Sequence, residues 1–314
     1  SSVLAPTATM RGAPPLMVSS AFPENNPASP TSAAYAAGID MVVTATHRQQ
    51  RTLRVKSRPV DLPTTLVEKG RFMKPVAIFR HTRTEGPGYF ATFLDEHSIP
   101  WRLIAIDRGD DMPASTEPFS GICLMGGAVS VNDPLPWIEQ SCHLIREAIS
   151  KNIPVIGHCL GGQLMSKALG GQVTTNPVKE IGWSPVWAED NAETRKWLGN
   201  TLTGNRGAIV FQWHGETFSI PSGATRILTN SFCDNQMFVL GRHLGMQCHV
   251  EMTPEMIDCW NRQWHQETRG LVHFPPCIQT PEEMRRETTE NLPAMRHLAE
   301  QLYSVWIDGL TRGE

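Results

Sequence analysis

The chain has 314 residues, of which 40% are hydrophobic and 19% are charged, and its formal net charge at pH 7 is -3. This composition is typical of a folded protein with a sizeable core, and it lacks the basic excess that binds nucleic-acid phosphates. No apolar stretch approaches the roughly 20 residues that span a bilayer. We therefore expect neither a nucleic acid nor a membrane as a partner.

The seven cysteines are scattered, without a C-x-x-C pair or a Cys/His zinc spacing. Because their number is odd, a disulfide framework would leave at least one thiol over, which favours a reducing, cytoplasmic location. The sequence also contains no G-x-x-x-x-G-K-[ST] phosphate loop. We expect no metal and no cofactor.

Residues 1–72 differ in composition from the rest of the chain. They are rich in Ala, Pro, Ser and Thr and poor in acidic residues, so a disordered or extension segment is expected. A transit peptide is one alternative, since such leaders have a similar composition. Another is that Met73 is the native start, because the first clean strand follows it.

From Lys74 onward, predicted strands and helices alternate. The first strands are 75–81, 101–107, 121–127 and 153–159, and the helices between and after them are 88–99, 136–152 and 160–171. Shorter strands follow at 184–190, 208–214, 224–230, 236–241 and 244–250, and the last helices are about 253–264 and 281–306. This order predicts an α/β domain over 73–314, with a mostly parallel central sheet, helices on both faces and a C-terminal helical tail from about 265.

The sequence Gly157-His158-Cys159-Leu160-Gly161 lies between an apolar strand and a helix. It has the form of a nucleophile elbow, in which a strained turn presents the nucleophile at the carboxyl edge of a sheet. The start of the helix favours a thiolate, and the Leu160 N–H can point at a developing oxyanion. The alternative is a buried cysteine in a glycine-rich turn.

The segment GHCLGGQL resembles the G-x-C-L-G-x-Q-L signature of class I glutamine amidotransferases. Four further segments are similar to family motifs and occur in the family's order: LMGGAVSVND (124–133), KEIGWSPV (179–186), FQWHGETFSIPSGA (211–224) and GMQCHVE (245–251). The resemblance covers roughly residues 75–262. It implies the flavodoxin-like α/β fold of that family, with the elbow at the carboxyl edge of the sheet.

The same resemblance implies a triad in which Cys159 is the nucleophile, His249 the base and Glu251 the group that orients the base. The H-x-E spacing at a strand end places both side chains on one face, which fits triad chemistry. Two residues depart from the family pattern, since Cys248 stands where the family has Phe and Val250 where it has Pro.

Other roles are implied by resemblance as well. Gly127 is expected to be the second oxyanion donor, beside Leu160. Gln163, Trp213 and His214 are expected to bind the glutamyl part of the substrate, although His214 could instead be structural. His158 is expected to be packed or capped, because neighbouring strand residues face opposite ways.

The resemblance thus implies a cysteine-dependent hydrolase that cleaves the γ-amide of glutamine or of a γ-glutamyl compound through a γ-glutamyl thioester. Released ammonia could pass to a separate synthase subunit. One alternative is a γ-glutamyl peptide hydrolase acting on glutathione-like substrates. Another is a non-catalytic scaffold on the same fold.

Overall fold

The computed structural model describes residues 73–310, except residues 200, 201 and 203–206. The predictions about residues 1–72 lie outside the described residues. One nine-stranded sheet, with the strand order β2-β1-β3-β4-β9-β8-β7-β5-β6, forms the centre of the described part. None of its described helices is both long and apolar enough to cross a membrane.

The first half of the sheet is parallel. Its strands are β1 (Val76–Arg80), β2 (Trp101–Ala105), β3 (Gly121–Leu124), β4 (Val155–His158) and β9 (His243–Met246). Neighbours in this half pair in the same direction, so their carboxyl ends meet at one edge of the sheet. In open α/β sheets this edge is where ligands bind.

The second half of the sheet is antiparallel. Its strands are β5 (Val173–Ala188), β6 (Ala208–Phe218), β7 (Thr225–Thr229) and β8 (Met237–Leu240). Most of β5 pairs with β6, and only its last two paired residues, Trp187 and Ala188, join β7. The first half of β5 therefore extends away from the rest of the sheet as a two-stranded ribbon.

Seven helices accompany the sheet in the described part of the chain. They are α1 (Gly88–Glu96), α2 (Pro136–Ser150), α3 (Leu160–Ala168), α4 (Ala192–Leu198), α5 (Pro254–Asn261), α6 (Trp264–Glu267) and α7 (Pro281–Ile307). The start of α7 is fixed by a capping box, in which Thr280 and Glu283 satisfy each other's backbone N–H groups.

Buried side chains form two cores, one on each face of the sheet. Val76 and Ile78 of β1 belong to the core that contains α1 and α7, whereas Ala77 and Phe79 belong to the core that contains α2 and α3. Alternate residues of one strand therefore face opposite layers of helices. The prediction of a mostly parallel sheet covered on both faces is confirmed.

Candidate active site

Cys159 lies at the turn between β4 and α3. Its φ of +48° and ψ of -106° are strained for a residue with a Cβ. The turn brings the thiol to the carboxyl edge of the parallel strands, where only 6% of the residue is exposed. Two glycines permit this close packing, because an added Cβ at Gly157 would overlap the backbone of Gly161 and one at Gly161 would overlap the Leu124 carbonyl.

Replacing Gly161 by alanine is expected to lower the free energy of unfolding by about 3 kcal/mol, as overpacking in a rigid core does. The overlapped atom is a backbone oxygen of Leu124, which cannot rotate away. Thermal unfolding should show a Tm lower by roughly 6 to 12 °C. The matched control is Gly86→Ala, where an added Cβ meets no atom within 4 Å. Equal shifts in both variants would contradict the packing argument.

His249 and Glu251 follow the end of β9 and point to the same side. The Nδ1–H of His249 donates a hydrogen bond to Oε1 of Glu251 at 2.7 Å, which leaves Nε2 free for another partner. The sulfur of Cys159 is close enough to the His249 ring to raise the pKa of the imidazole. The structure therefore brings the three residues predicted from the sequence together, and they are here called the Cys-His-Glu group. Their catalytic role stays a prediction.

The charges of this group support each other. Burial by itself lowers the pKa of His249, but the carboxylate of Glu251 and the sulfur of Cys159 outweigh it and raise that pKa well above its usual value. Burial alone raises the pKa of Glu251, whereas His158 and His249 lower it to about 2. An ionised carboxylate fixes the imidazole tautomer and stabilises its protonated form. The ring is thus suited to take a proton from sulfur and pass it on.

The far side of Glu251 faces His158 and Tyr303. The Nε2 atom of His158 lies 3.9 Å from Oε2 of Glu251 and 3.0 Å from the Tyr303 hydroxyl. Burial lowers the pKa of His158, and none of its surface is exposed, in agreement with the expectation that it is packed. Since Tyr303 belongs to α7, the last helix supports the rear of the Cys-His-Glu group.

Gly127 and Leu160, whose backbone N–H groups are the predicted oxyanion donors, both lie near Cys159. Gly127 packs against Leu160, where an added Cβ would meet the leucine side chain. Among the residues that the structure describes, the Gly127 N–H donates to no protein group. Leu160 is the first residue of α3, so its N–H has no acceptor within the helix. Both predicted donors therefore border Cys159, and their function stays a prediction.

A pocket of about 240 Å³ opens above the thiol. Five residues predicted from the sequence line it: Gly127, Cys159, Gln163, Trp213 and His214. One wall is aromatic, because the rings of Trp213 and Trp260 meet edge to face with their centres 5.6 Å apart. Trp260 also packs edge-on against the His249 ring at 4.8 Å.

Gln163 and Gln247 form a polar wall beside the sulfur. The side-chain amide of Gln163 donates to the Glu216 carbonyl at 3.4 Å and to the Gln247 side chain at 3.3 Å. The Gln247 amide in turn donates to the Cys159 sulfur at 3.6 Å. This chain of amides connects the pocket residue Gln163 to the Cys159 sulfur.

Both ring nitrogens of His214 face protein groups. Its Nδ1–H donates to the Glu216 carbonyl at 2.9 Å, and its Nε2 lies 3.1 Å from a carboxylate oxygen of Glu180. The ring therefore holds β6 at Glu216, which fits the structural alternative for this residue. Its edge still contributes to the pocket lining.

Glu180, His214 and Cys233 form the one cluster in the described part of the chain whose ligand atoms are spaced to hold a metal ion, within 4.8 Å of one another. However, the two oxygens of Glu180 already accept hydrogen bonds from the side-chain amides of Asn230 at 2.6 Å and Gln236 at 3.0 Å. Protein groups thus satisfy the carboxylate, and the cluster is explained as a buried hydrogen-bond network behind the pocket.

Sequence reasoning missed three residues at this site: Glu85, Gln247 and Tyr303. Glu85 lines the pocket and follows β1, so the rule that loops after parallel strands carry function could have found it. Gln247 precedes His249 by two residues, which is the spacing of side chains on one face of an extended segment. Tyr303 gave no local signal.

Comparisons with known proteins identify the family. The family model described as glutamine amidotransferase class-I matches residues 101–259, about half of the chain. The crystal structure of a glutamine amidotransferase from Methylobacillus flagellatus is similar with a TM-score of 0.73 and 40% sequence identity, over 77% of this chain and 98% of that one.

Two curated relatives are more distant in sequence. The glutamine amidotransferase-like protein YfeJ of Salmonella typhimurium is 28% identical over 188 residues, which are 57% of this chain and 76% of the relative. Gamma-glutamyl peptidase 3 of Arabidopsis thaliana is 23% identical over 177 residues, 54% of this chain and 71% of the relative. The extent of the family-model match and the likeness to the Methylobacillus structure carry the conclusion. The chain belongs to the class-I glutamine amidotransferase family.

Proposed function

We propose that this protein is a cysteine-dependent hydrolase that cleaves the γ-amide of glutamine or of a γ-glutamyl compound through a γ-glutamyl thioester. The observation that carries the proposal is the Cys-His-Glu group, in which Glu251 holds the His249 ring beside a thiol that lines a pocket. Two unused backbone N–H groups beside the sulfur support it. Acyl transfer requires a nucleophile, a base with a fixed tautomer and donors for an oxyanion.

In the first step, Cys159 gives its proton to His249 and its sulfur attacks the γ-carbonyl carbon. The carbonyl oxygen becomes an oxyanion, which the N–H groups of Gly127 and Leu160 stabilise. The intermediate then collapses and the carbon–nitrogen bond breaks. The proton held by His249 passes to the departing nitrogen, so that a neutral amine leaves and a thioester remains.

In the second step, water takes the place of the amine. His249 accepts a proton from this water as its oxygen attacks the thioester carbon, and the same N–H groups stabilise the second oxyanion. The carbon–sulfur bond breaks, and the proton returns from His249 to the Cys159 sulfur. The products are glutamate and the free thiol. Glu251 remains ionised and holds the imidazole in place throughout both steps.

Hydrolysis of a γ-glutamyl peptide is a second candidate, because the pocket continues past the sulfur. The aromatic wall of Trp213 and Trp260 leads to Gln263, and to an ion pair in which Lys179 meets Glu267 at 2.9 Å. This space suits a leaving group larger than ammonia. Trp213 and Trp260 give it an apolar side, and Lys179 a cation able to attract a terminal carboxylate.

In the amidotransferase form of the proposal, ammonia released at Cys159 passes to a separate synthase subunit. In the peptidase form, the released amine is itself the product and no partner is needed. The two forms share all of the acylation chemistry, so they differ only in the leaving group and in what receives it.

Product analysis by mass spectrometry separates these forms. The purified chain is incubated with glutamine or with a γ-glutamyl dipeptide, and a Cys159→Ala preparation serves as the blank. Ammonia and glutamate from glutamine support the amidotransferase form, whereas faster release of the amino acid from the dipeptide supports the peptidase form. In either case, peptide mapping of quenched reactions should find a γ-glutamyl adduct on Cys159 and none on the other six cysteines. Turnover without that adduct, or no turnover at all, contradicts the proposal.

A further inference from the structure

The Glu85 carboxylate lies beside His249 at the mouth of the pocket. Glu85 is partly buried and lines the pocket above the thiol. A Cβ added to Gly126 would overlap the Oε2 atom of Glu85 and would lie 3.3 Å from Cε1 of His249. The carboxylate and the imidazole therefore rest against the same face of Gly126, directly next to the oxyanion donor Gly127.

The loop that carries Glu85 is fixed at several points. The indole N–H of Trp260 donates to the Thr84 carbonyl at 2.9 Å, and the Glu85 N–H donates to the Thr82 carbonyl at 3.0 Å. At the end of the loop, the Tyr89 N–H donates to the carbonyl of Glu251 at 2.8 Å. The backbone of Glu85 is thus tied to residues that pack on or belong to the Cys-His-Glu group.

Glu85 differs from the other two carboxylates that line this pocket. Glu216 accepts a hydrogen bond from the Ser130 hydroxyl at 2.9 Å, and Glu267 is paired with Lys179 at 2.9 Å. Within the described ranges, the Glu85 side chain has no hydrogen-bond or ion-pair partner. Its oxygens are therefore available to accept a hydrogen bond from a bound molecule.

The position of Glu85 indicates which part of a substrate it meets. With the γ-carbonyl oxygen at the N–H groups of Gly127 and Leu160, and the glutamyl part toward Gln163, the remaining substituent of the carbonyl carbon is the leaving nitrogen. His249 must reach that nitrogen to protonate it. Glu85 shares the face of Gly126 with His249, so it borders the same atom.

We propose that the Glu85 carboxylate accepts a hydrogen bond from the leaving nitrogen of a γ-glutamyl amide, and so favours amine over alcohol or thiol leaving groups. The inference rests on the proposed function. In the tetrahedral intermediate the nitrogen has lost its amide resonance and is more basic, and it takes a proton from His249 as the carbon–nitrogen bond breaks. A neighbouring carboxylate stabilises the positive charge that develops on it. An ester oxygen has no N–H to donate.

The test compares a γ-glutamyl amide with a γ-glutamyl ester that has the same glutamyl part. In Glu85→Ala, we expect kcat/KM for the amide to fall about 10- to 100-fold, the size of a charge-assisted hydrogen bond. For the ester, kcat/KM should change by less than about threefold. Glu85→Gln keeps the size of the side chain without its charge, so kcat/KM for the amide should lie between the values of the wild type and of Glu85→Ala. Glu267→Gln removes a carboxylate from the same pocket and should affect both substrates alike.

Thermal unfolding at two pH values checks that the variants fold. Burial, together with the carboxylates of Glu251 and Glu267, raises the pKa of Glu85 to about 7, although His249 opposes the shift. The folded state thus disfavours the ionised form, and its stability falls as pH rises from the ordinary value toward 7. Glu85→Gln should therefore have a higher Tm than the wild type at pH 8 and a similar Tm at pH 5.

The outcomes separate this inference from the proposed function. Suppose that the wild type cleaves both substrates, and that in Glu85→Ala kcat/KM falls equally for the amide and the ester or for neither. The role proposed for Glu85 is then wrong, while the proposed function stands. If the wild type cleaves neither substrate, the proposed function fails and this inference fails with it. A selective fall in kcat/KM for the amide, in a variant whose Tm is not lowered, supports the inference.

Discussion

Replacing Cys159 by alanine is expected to lower turnover of every γ-glutamyl substrate by at least about 10⁴-fold, as loss of the nucleophile does in hydrolases that use a triad. The sulfur forms the bond that carries the acyl group, and Cys159 is the only cysteine that lines the pocket in the described part of the chain. The measurement is kcat on the purified variant, together with a search for the acyl adduct in quenched reactions.

Two further variants control this experiment. Cys142 lies on the buried face of α2, away from the pocket lining, so Cys142→Ala should keep kcat close to that of the wild type. The free energy of unfolding of Cys159→Gly should be about 1 kcal/mol higher than that of Cys159→Ala, because glycine adopts a positive φ without strain. Substantial turnover by Cys159→Ala would contradict the assignment of the nucleophile, and equal stability of the two Cys159 variants would contradict the strained elbow.

Replacing His249 by asparagine is expected to lower the rate of acylation by about 10³- to 10⁵-fold. Asparagine can still accept or donate hydrogen bonds, but it cannot take the proton from Cys159 or deliver one to the leaving nitrogen. The effect should appear in single-turnover kinetics as slow formation of the thioester. Binding of substrate should change much less, because the His249 ring is not part of the glutamyl side of the pocket.

The matched comparison for His249 is Glu251→Gln. The rate of acylation in Glu251→Gln should remain roughly tenfold or more above that in the His249 variant, as in related triads. Because Glu251 raises the pKa of His249, this variant should also shift the imidazole limb of the pH–rate profile to lower pH. A Glu251 variant that is less active than the His249 variant, or one with an unchanged pH profile, would contradict the roles assigned to the pair.

The parallel half of the sheet and its elbow could be predicted from sequence because their signals are local. Each of these strands is a short apolar run, and all but β2 are followed by an α-helix. The glycines around Cys159 lie within the same five residues as the cysteine. His249 and Glu251 likewise lie two residues apart, just after the end of β9. The first four predicted strands are each within about three residues of an observed one.

The antiparallel half was harder to predict, and β5 is the clearest case. The sequence predicted a strand over 184–190, whereas the structure has one from Val173 to Ala188. In its first half this strand pairs only with β6, and several of its residues are exposed. A ribbon of this kind has no continuous buried face, so it lacks the alternation that marks a strand. The helices α4 and α6 were also missed, because such short segments show little helical periodicity.

The surroundings of the Cys-His-Glu group depend on contacts between distant parts of the chain. Glu85 meets His249 only because β1 and β9 end at the same edge of the sheet. Tyr303 and His158 are 145 positions apart, and no spacing rule links them. Such contacts follow from the packing of whole helices and strands, which a pattern within one segment does not specify.

The hydroxyl of Tyr303, which reaches His158 behind Glu251, has a consequence for biosynthesis. A growing polypeptide exposes the elbow and both other members of the group long before α7 has emerged from the ribosome. Until that happens, water has access to the rear of the Glu251 carboxylate, and the hydrogen bond between Glu251 and His249 is weakened. We therefore expect newly made protein to become competent for hydrolysis only when translation of the final helix is complete.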